Sequence, residues 1–265
     1  MGKIMAIANQ KGGVGKTTTA INLGAALTKE GNRVLIIDLD EQANATICLG
    51  IDRQLVEVCT YDLITSDISI NDTIVNTKEP NFDLIPASNK LAQIEDAMYE
   101  VLLKDQVLYS KLELVKNDYD YILLDCPPSL GVVIDNALFA SDSVLIPVEC
   151  EFLAYDALTQ MVNKVNEVQK RKNEFGLALT IEGVLLTKLD NRNMLGYKIA
   201  DKVNALFPNK TFKTIIKRSS HLQEAPMHGK SVIDFAYNSR GSKEYRELAK
   251  EIIDSRGNVW NICYF

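Results

Sequence analysis

Short runs of β-branched residues and leucine punctuate the chain at 4–8, 34–38, 82–85, 121–125, 144–148, 183–187 and 212–216. Each run is continuously apolar rather than alternating, which predicts strands covered on both faces. Helical periodicities lie between them. Ala20, Leu23, Gly24 and Leu27 form one small apolar stripe, and Gly31 is placed to end that helix. Leu158, Met161, Val162, Val165 and Val168 form a longer stripe with a polar end at Gln169-Lys170-Arg171-Lys172. Strand–helix alternation of this kind predicts an α/β fold. The expectation is a doubly wound, mostly parallel sheet of about seven or eight strands, with helices on both faces and right-handed crossovers. No repeat, low-complexity tract or linker divides the chain. Residues 1–254 therefore read as a single domain, followed by a short apolar tail at 255–265.

Composition narrows the class without naming a function. The 265 residues are 46% apolar and 24% charged, ordinary globular usage that excludes collagen-like, disordered and coiled-coil chains. No apolar run reaches the length of a spanning helix, and the first residues carry no signal-peptide pattern, so a cytoplasmic chain is expected. Five cysteines without a C-x-x-C pair argue against a disulfide framework or a zinc site. A net charge of −6 argues against a generally basic nucleic-acid coat, so DNA contact requires a local patch.

The sharpest chemistry follows the first strand, in Gln10-Lys11-Gly12-Gly13-Val14-Gly15-Lys16-Thr17-Thr18. The phosphate-loop pattern G-x-x-x-x-G-K-[ST] is met at Gly15-Lys16-Thr17, although its first glycine position holds Gln10. Glycines at 12, 13 and 15 let backbone amides turn inward as a nest for phosphate oxygens. The helix that begins near Lys16 adds its positive end. Lys16 supplies a charge to the β- and γ-phosphates, and the Thr17 hydroxyl is a Mg²⁺ ligand candidate. Carboxylates at the C-terminal ends of later strands fall where open α/β sheets bind ligands. Asp125 suits a Walker B carboxylate that holds Mg²⁺, and Asp40 suits the position that orients attacking water. Asp38, nearer the strand body, is either structural or a support for a Mg²⁺-bound water.

From Lys188 to Lys230 nine basic residues stand against three acidic ones, a local charge of +6 that leaves −12 for the rest of the chain. Such asymmetry marks a candidate phosphate-binding face.

Lys11 ahead of the glycines completes K-G-G-V-G-K-T-T, which resembles the deviant Walker A motif of the ParA/MinD family of dimerising ATPases. Asp38-Leu39-Asp40-x-Gln-x-Asn and Asp125-x-Pro-Pro-Ser are similar to the ParA/Soj partition proteins. The resemblance covers residues 1–254. It implies a P-loop ATPase using ATP and Mg²⁺, with Lys11 through Thr18 and Pro226 at the nucleotide and Thr17, Asp40 and Asp125 at the metal. Lys11, Lys16 and Asp40 are the implied catalytic residues. The family pattern has an ATP-dependent homodimer in which Lys11 crosses to the partner's nucleotide. Arg192, Lys217 and Arg218 match positions that bind double-stranded DNA without sequence preference. A ParB-like centromere-binding protein would stimulate hydrolysis, and the cargo would be chromosome or plasmid DNA. The ATP-bound form is expected on the nucleoid and not on a membrane. Glu41 and Lys217 depart from the family, which often carries proline at both positions. The chain starts its first strand almost at once, as in the short Soj-like type, so operator-specific repression is not expected. The alternatives are a MinD-like membrane-cycling regulator of division-site placement, an iron-protein type reductase drawing on Cys126 and Cys150, and an amidoligase-type synthase.

Overall fold

The computed structural model describes residues 2–151, 154–190 and 194–257. Eight strands make one sheet: β1 (Lys3–Ile7), β2 (Val34–Asp38), β3 (Val75–Asn76), β4 (Phe82–Ile85), β5 (Tyr121–Asp125), β6 (Ser143–Glu149), β7 (Thr180–Leu189) and β8 (Ile216–Lys217). Their order is β3-β4-β2-β5-β1-β6-β7-β8, parallel throughout except for β3 against β4. The helices are α1 (Lys16–Lys29), α2 (Asn44–Cys48), α3 (Thr60–Thr65), α4 (Ile94–Ala97), α5 (Val107–Glu113), α6 (Val132–Ala140), α7 (Ala154–Glu174), α8 (Met194–Leu206), α9 (Ser220–Glu224), α10 (Val232–Phe235) and α11 (Arg240–Gly257). This is the doubly wound α/β sheet that the apolar runs predict.

The continuous runs feed two cores at once. In β1, Ile4 and Ala6 join the cluster containing Leu35, Ile37, Ile122 and Leu124, while Met5 and Ile7 join the opposite cluster with Ile36 and Leu123. Burial of both faces removes the polar alternation that a half-solvated strand would show.

The predicted helices form for the reasons read from their patterns. Gly31 adopts φ 87°, and the amides of Gly31 and Asn32 donate to the carbonyls of Thr28 and Leu27, closing the end of α1. Gly24 serves close approach instead: a Cβ there would lie 2.6 Å from the ring of Phe82, which is fully buried on β4. In α7 the expected stripe is buried at Leu158, Met161, Val165 and Val168. Its expected polar end is only partly polar in setting. Lys172 is buried, its ammonium donates to the Ser141 carbonyl, and burial pushes its pKa down to about 8.

One expectation needs correction at the sheet edges, and one strand there carries no sequence signal. The edge strand β3 is two residues long, too short for a periodic signal. The run 212–216 is strand only at Ile216. Phe212 instead covers Gly183, and the amides of Lys213 and Thr214 donate to the Glu251 carboxylate of α11 at 2.9 and 2.8 Å. A side chain has taken the place of a neighbouring strand as their acceptor. Helix α11 continues to Gly257, past the expected boundary at 254, and the rest of the apolar tail, 258–265, lies outside the described residues. Among the described residues no helix is long and apolar enough to cross a membrane.

Gly24→Val places a branched side chain into the Phe82 ring. The expected cost is about 2–3 kcal/mol, or a fall in melting temperature of roughly 4–10 °C. A thermal melt within 1–2 °C of the parent (roughly 0.5 kcal/mol or less) would show that the helix–sheet contact yields freely.

Candidate functional site: a phosphate loop between paired carboxylates

The loop between β1 and α1 is held from outside and left open inside. Asn9 anchors its start, donating to the Pro147 carbonyl at 2.7 Å and accepting from the Lys11 amide at 3.0 Å. Its middle is tied to β7, where the Thr187 hydroxyl donates to the Val14 carbonyl at 2.8 Å. Gly13 and Gly15 adopt φ 75° and 95°, a backbone region that side-chain-bearing residues rarely enter. Gly15 is also the N-cap of α1, and no side chain caps that end. Amides of the first turn therefore face a prospective anion without a side-chain competitor.

The two loop lysines go to different places. Lys16 is buried, and its ammonium donates to the Lys11 carbonyl at 3.3 Å across the loop. Burial pushes its pKa down, and the negative charges of Asp125 and Asp40 oppose that shift. The Lys11 ammonium points away and pairs with Glu151 at 3.0 Å.

The carboxylates divide their work. Asp38 and Asp125 are register partners on β2 and β5, and both are fully buried. Asp38 accepts from the amide and hydroxyl of Thr46 at 2.9 and 2.7 Å, and from the Asp40 amide at 3.2 Å. It thus anchors α2. Burial pushes its pKa up to about 6, partly offset by the Thr46 bonds. Asp125 has no such support. Thr17 lies close enough to lower its pKa, yet neither carboxylate oxygen completes a hydrogen bond of ordinary geometry. Burial first, and the Asp38 charge second, hold its pKa well above the carboxylate range. An orphaned buried carboxylate beside a hydroxyl fits a cation whose other ligands are phosphate and water. Among the described residues no cluster of three metal-binding side chains exists that would hold an ion alone.

Asp40 lies at the turn after β2, nearly buried. Its carboxylate accepts from the Gln42 amide at 3.0 Å, and its carbonyl accepts from the Ala43 amide at 2.9 Å. Glu41 therefore occupies the second position of a hydrogen-bonded turn, where proline also fits. Pro226 lies in the turn Ala225–His228, which packs against α2. Cys126 is buried behind Asp125, and burial pushes its thiol pKa up; Cys150 is buried as well. Neither is presented as a ligand to a second chain.

The candidate DNA face is partly described. Arg192 lies outside the described residues. Lys217 is half-buried, with its amide donating to Glu244 at 3.0 Å. The Arg218 side chain is 59% exposed, and its guanidinium lies 3.5 Å from Glu149 and 3.9 Å from Glu151. Those two glutamates were not among the residues singled out in the sequence. The rule that selects Asp125, a carboxylate at the C-terminal end of a parallel strand, selects Glu149-Cys150-Glu151 as well.

A strand, glycine loop and helix, with acidic residues closing the neighbouring strands, define a P-loop NTPase. The family described as "AAA domain" matches residues 2–177. The sporulation initiation inhibitor protein Soj of Bacillus subtilis is 50% identical over 95% of this chain and 98% of its own length. The chromosome partitioning protein ParA of Caulobacter vibrioides is 41% identical over 95% of this chain and 94% of its own. Among solved structures, cobyrinic acid a,c-diamide synthase from Mycobacterium smegmatis, with bound ATP analog and magnesium, superposes with a TM-score of 0.86. It is 30% identical, with the whole of both chains covered. The chain belongs to the ParA/Soj family of partition ATPases.

Raised carboxylate pKa values favour folding only while the carboxylates are protonated. Stability of the nucleotide-free protein should therefore fall as pH rises through about 6, the Asp38 value, and beyond. Asp125→Asn removes the uncompensated charge. It should match the parent near pH 4 and exceed it by about 1–3 kcal/mol near pH 8, and it should lose stabilisation by Mg²⁺. Denaturant titrations across that range check this, and a pH-independent difference would contradict the assignment.

Proposed function

We propose that this protein is an ATP-dependent dimerising switch that binds DNA without sequence preference and hydrolyses ATP to let it go, moving chromosome or plasmid DNA. The reading rests on one observation above all: Lys16 lies inside the phosphate nest while Lys11 is directed out of it. A second loop lysine that does not serve its own chain's phosphates is free to serve those of another. The identity with Soj supports the partition class over the amide-synthase name of the structural neighbour, 50% against 30%.

Amides of the loop at 12–18 and the α1 terminus would bind the β- and γ-phosphates, with Lys16 beside them. Thr17 and Asp125 would hold Mg²⁺, with Asp40 nearby; the ion supplies charge neutralisation at the phosphate oxygens. Asp40 would orient the attacking water. The partner's Lys11 would stabilise charge on the transferring phosphoryl group, as a trans arginine does elsewhere. Pro226 would stand near the adenine. Closure would double the cationic face carrying Lys217 and Arg218, with Arg192 as its third member, so that two weak sites act as one stronger site. A ParB-like centromere-binding protein would trigger hydrolysis.

Binding of a random-sequence duplex, followed by anisotropy with ATP or ADP over a salt series, tests the reading. Affinity should appear with ATP alone, and the logarithm of the binding constant should fall with log salt at a slope of about −4 or steeper. Arg218→Glu should abolish it. Indifference to DNA in both nucleotide states would refute the cargo assignment.

Lys16→Ala should abolish nucleotide binding. Lys11→Ala should retain it but lose the ATP dimer, and Asp40→Ala should leave a persistent ATP dimer on DNA. Equal loss of nucleotide binding in both lysine variants, measured by calorimetry, would remove the trans role from Lys11.

A further inference from the structure

The ends of β6, β7 and β8 meet around a single buried carboxylate. Glu149, with 8% of its side chain exposed, uses its two oxygens separately. One lies 3.5 Å from the Arg218 guanidinium and the other 3.5 Å from the Lys188 ammonium. The backbone brings both cations there. The pairing of β7 with β8 shifts register between Thr187 and Leu189, and Lys188, the residue between them, takes a left-handed backbone at φ 53°. A bulge of this kind re-aims its residue, and a side-chain-bearing residue persists in that region only where its surroundings over-determine it. The Lys188 carbonyl accepts from Arg218 Nε at 3.4 Å, and the Arg218 carbonyl accepts from the Arg240 guanidinium. Glu151 adds a looser contact, 3.9 Å from the Arg218 guanidinium. Arg218 is thus tied to the body while most of its side chain stays open to solvent.

We propose that Glu149 is a positioning residue for DNA binding, which restrains Arg218 against the protein and so sets the affinity of the cationic face for phosphate. The inference rests on the DNA-binding role given to Arg218 above. A carboxylate held between two cations can lend one and keep the other. Lys188 is the one kept, being the less exposed of the two, 41% against 59% of the side chain. When Arg218 turns to a phosphate, Lys188 still neutralises the buried charge, so the exchange costs one weak pair. With a single cation, the same exchange would strand a bare buried anion and be far costlier.

One exchange in each chain of a dimer compounds the effect. An ion pair with an exposed member shifts an equilibrium by about 1.4- to 5-fold, so removing the Glu149 charge should tighten DNA binding by the dimer about 2- to 25-fold. The number of phosphate contacts stays the same, so the plot of log binding constant against log salt should shift in parallel. A pair made at a buried carboxylate is little screened, whereas repulsion of DNA by the protein's overall negative charge fades as salt rises. Salt therefore separates the two causes.

The test compares the full-length protein with Glu149→Gln, Glu149→Asp, Arg218→Ala and the Glu149→Gln/Arg218→Ala double variant, each loaded with AMPPNP and Mg²⁺. Anisotropy of a labelled random-sequence duplex is followed over a salt series, and thermal melts check that each variant is folded. Glu149→Gln should bind more tightly than the parent by the same factor at every salt concentration. Glu149→Asp, which keeps the charge on a shorter arm, should fall between them. In the Arg218→Ala background, read at low salt, Glu149→Gln should change nothing. Unchanged or weaker binding by Glu149→Gln overturns the inference, and weakening would mean that Glu149 presents Arg218 to DNA. An equal gain in the Arg218→Ala background, or a gain that fades with salt, also overturns it, since the carboxylate would then act through net charge alone. Failure of the parent to bind DNA in any nucleotide state would instead remove the DNA-binding reading, and this inference with it.

Discussion

Two carboxylates stand side by side at the ends of β2 and β5, both withdrawn from water, and only one has hydrogen-bond partners. The rest of the site follows from that inequality. Asp38 uses its oxygens to fix α2 and, through the Asp40 amide, the turn that carries Asp40. Asp125 is left with a charge that the fold does not satisfy, next to a hydroxyl and a buried lysine. A buried anion without donors is costly in the empty protein and favourable once a cation arrives. The same contrast explains why the loop is tethered by Asn9 and Thr187 on its outer side while α1 begins without a side-chain cap. Rigidity is placed where no ligand goes, and unsatisfied groups are concentrated where one does.

Much of this was legible from one sequence. Strands covered on both faces announce themselves by unbroken apolar runs, so β1, β2, β4, β5 and β6 lie within a residue of the expected runs, while β7 begins three residues earlier than its run. The loop was read from glycine spacing and Asp125 from its position at a strand end. Where the reading failed, a partner distant in sequence had intervened. In the run at 212–216 the amides of Lys213 and Thr214 are satisfied by Glu251, a residue more than thirty positions later. Lys172 looks like a solvated helix end until the Ser141 carbonyl and the adjacent sheet are in view. Strand β3 is too short to carry a period. Asp38 alone reads two ways in the sequence, as structural or as a support for a Mg²⁺-bound water, because its Thr46 partner comes into view only in the fold.

Glu149 and Glu151 are a different kind of omission. Their position obeyed a rule already in use for the other acids, but basic patches are read by counting cations, and counting conceals the anions among them. In the fold those anions are in contact with the cations that define the patch. A cationic face is thus a set of exchangeable pairs, and its affinity for phosphate reflects what each cation gives up.

The Thr187 hydroxyl that grips the phosphate loop sits one residue before Lys188, whose carbonyl receives Arg218. Nucleotide pocket and cationic face are therefore separated by a single peptide unit of β7, a strand paired along most of its length with β6. The two surfaces thus share one short stretch of backbone. A substitution at Thr187 or Lys188 therefore bears on both surfaces at once.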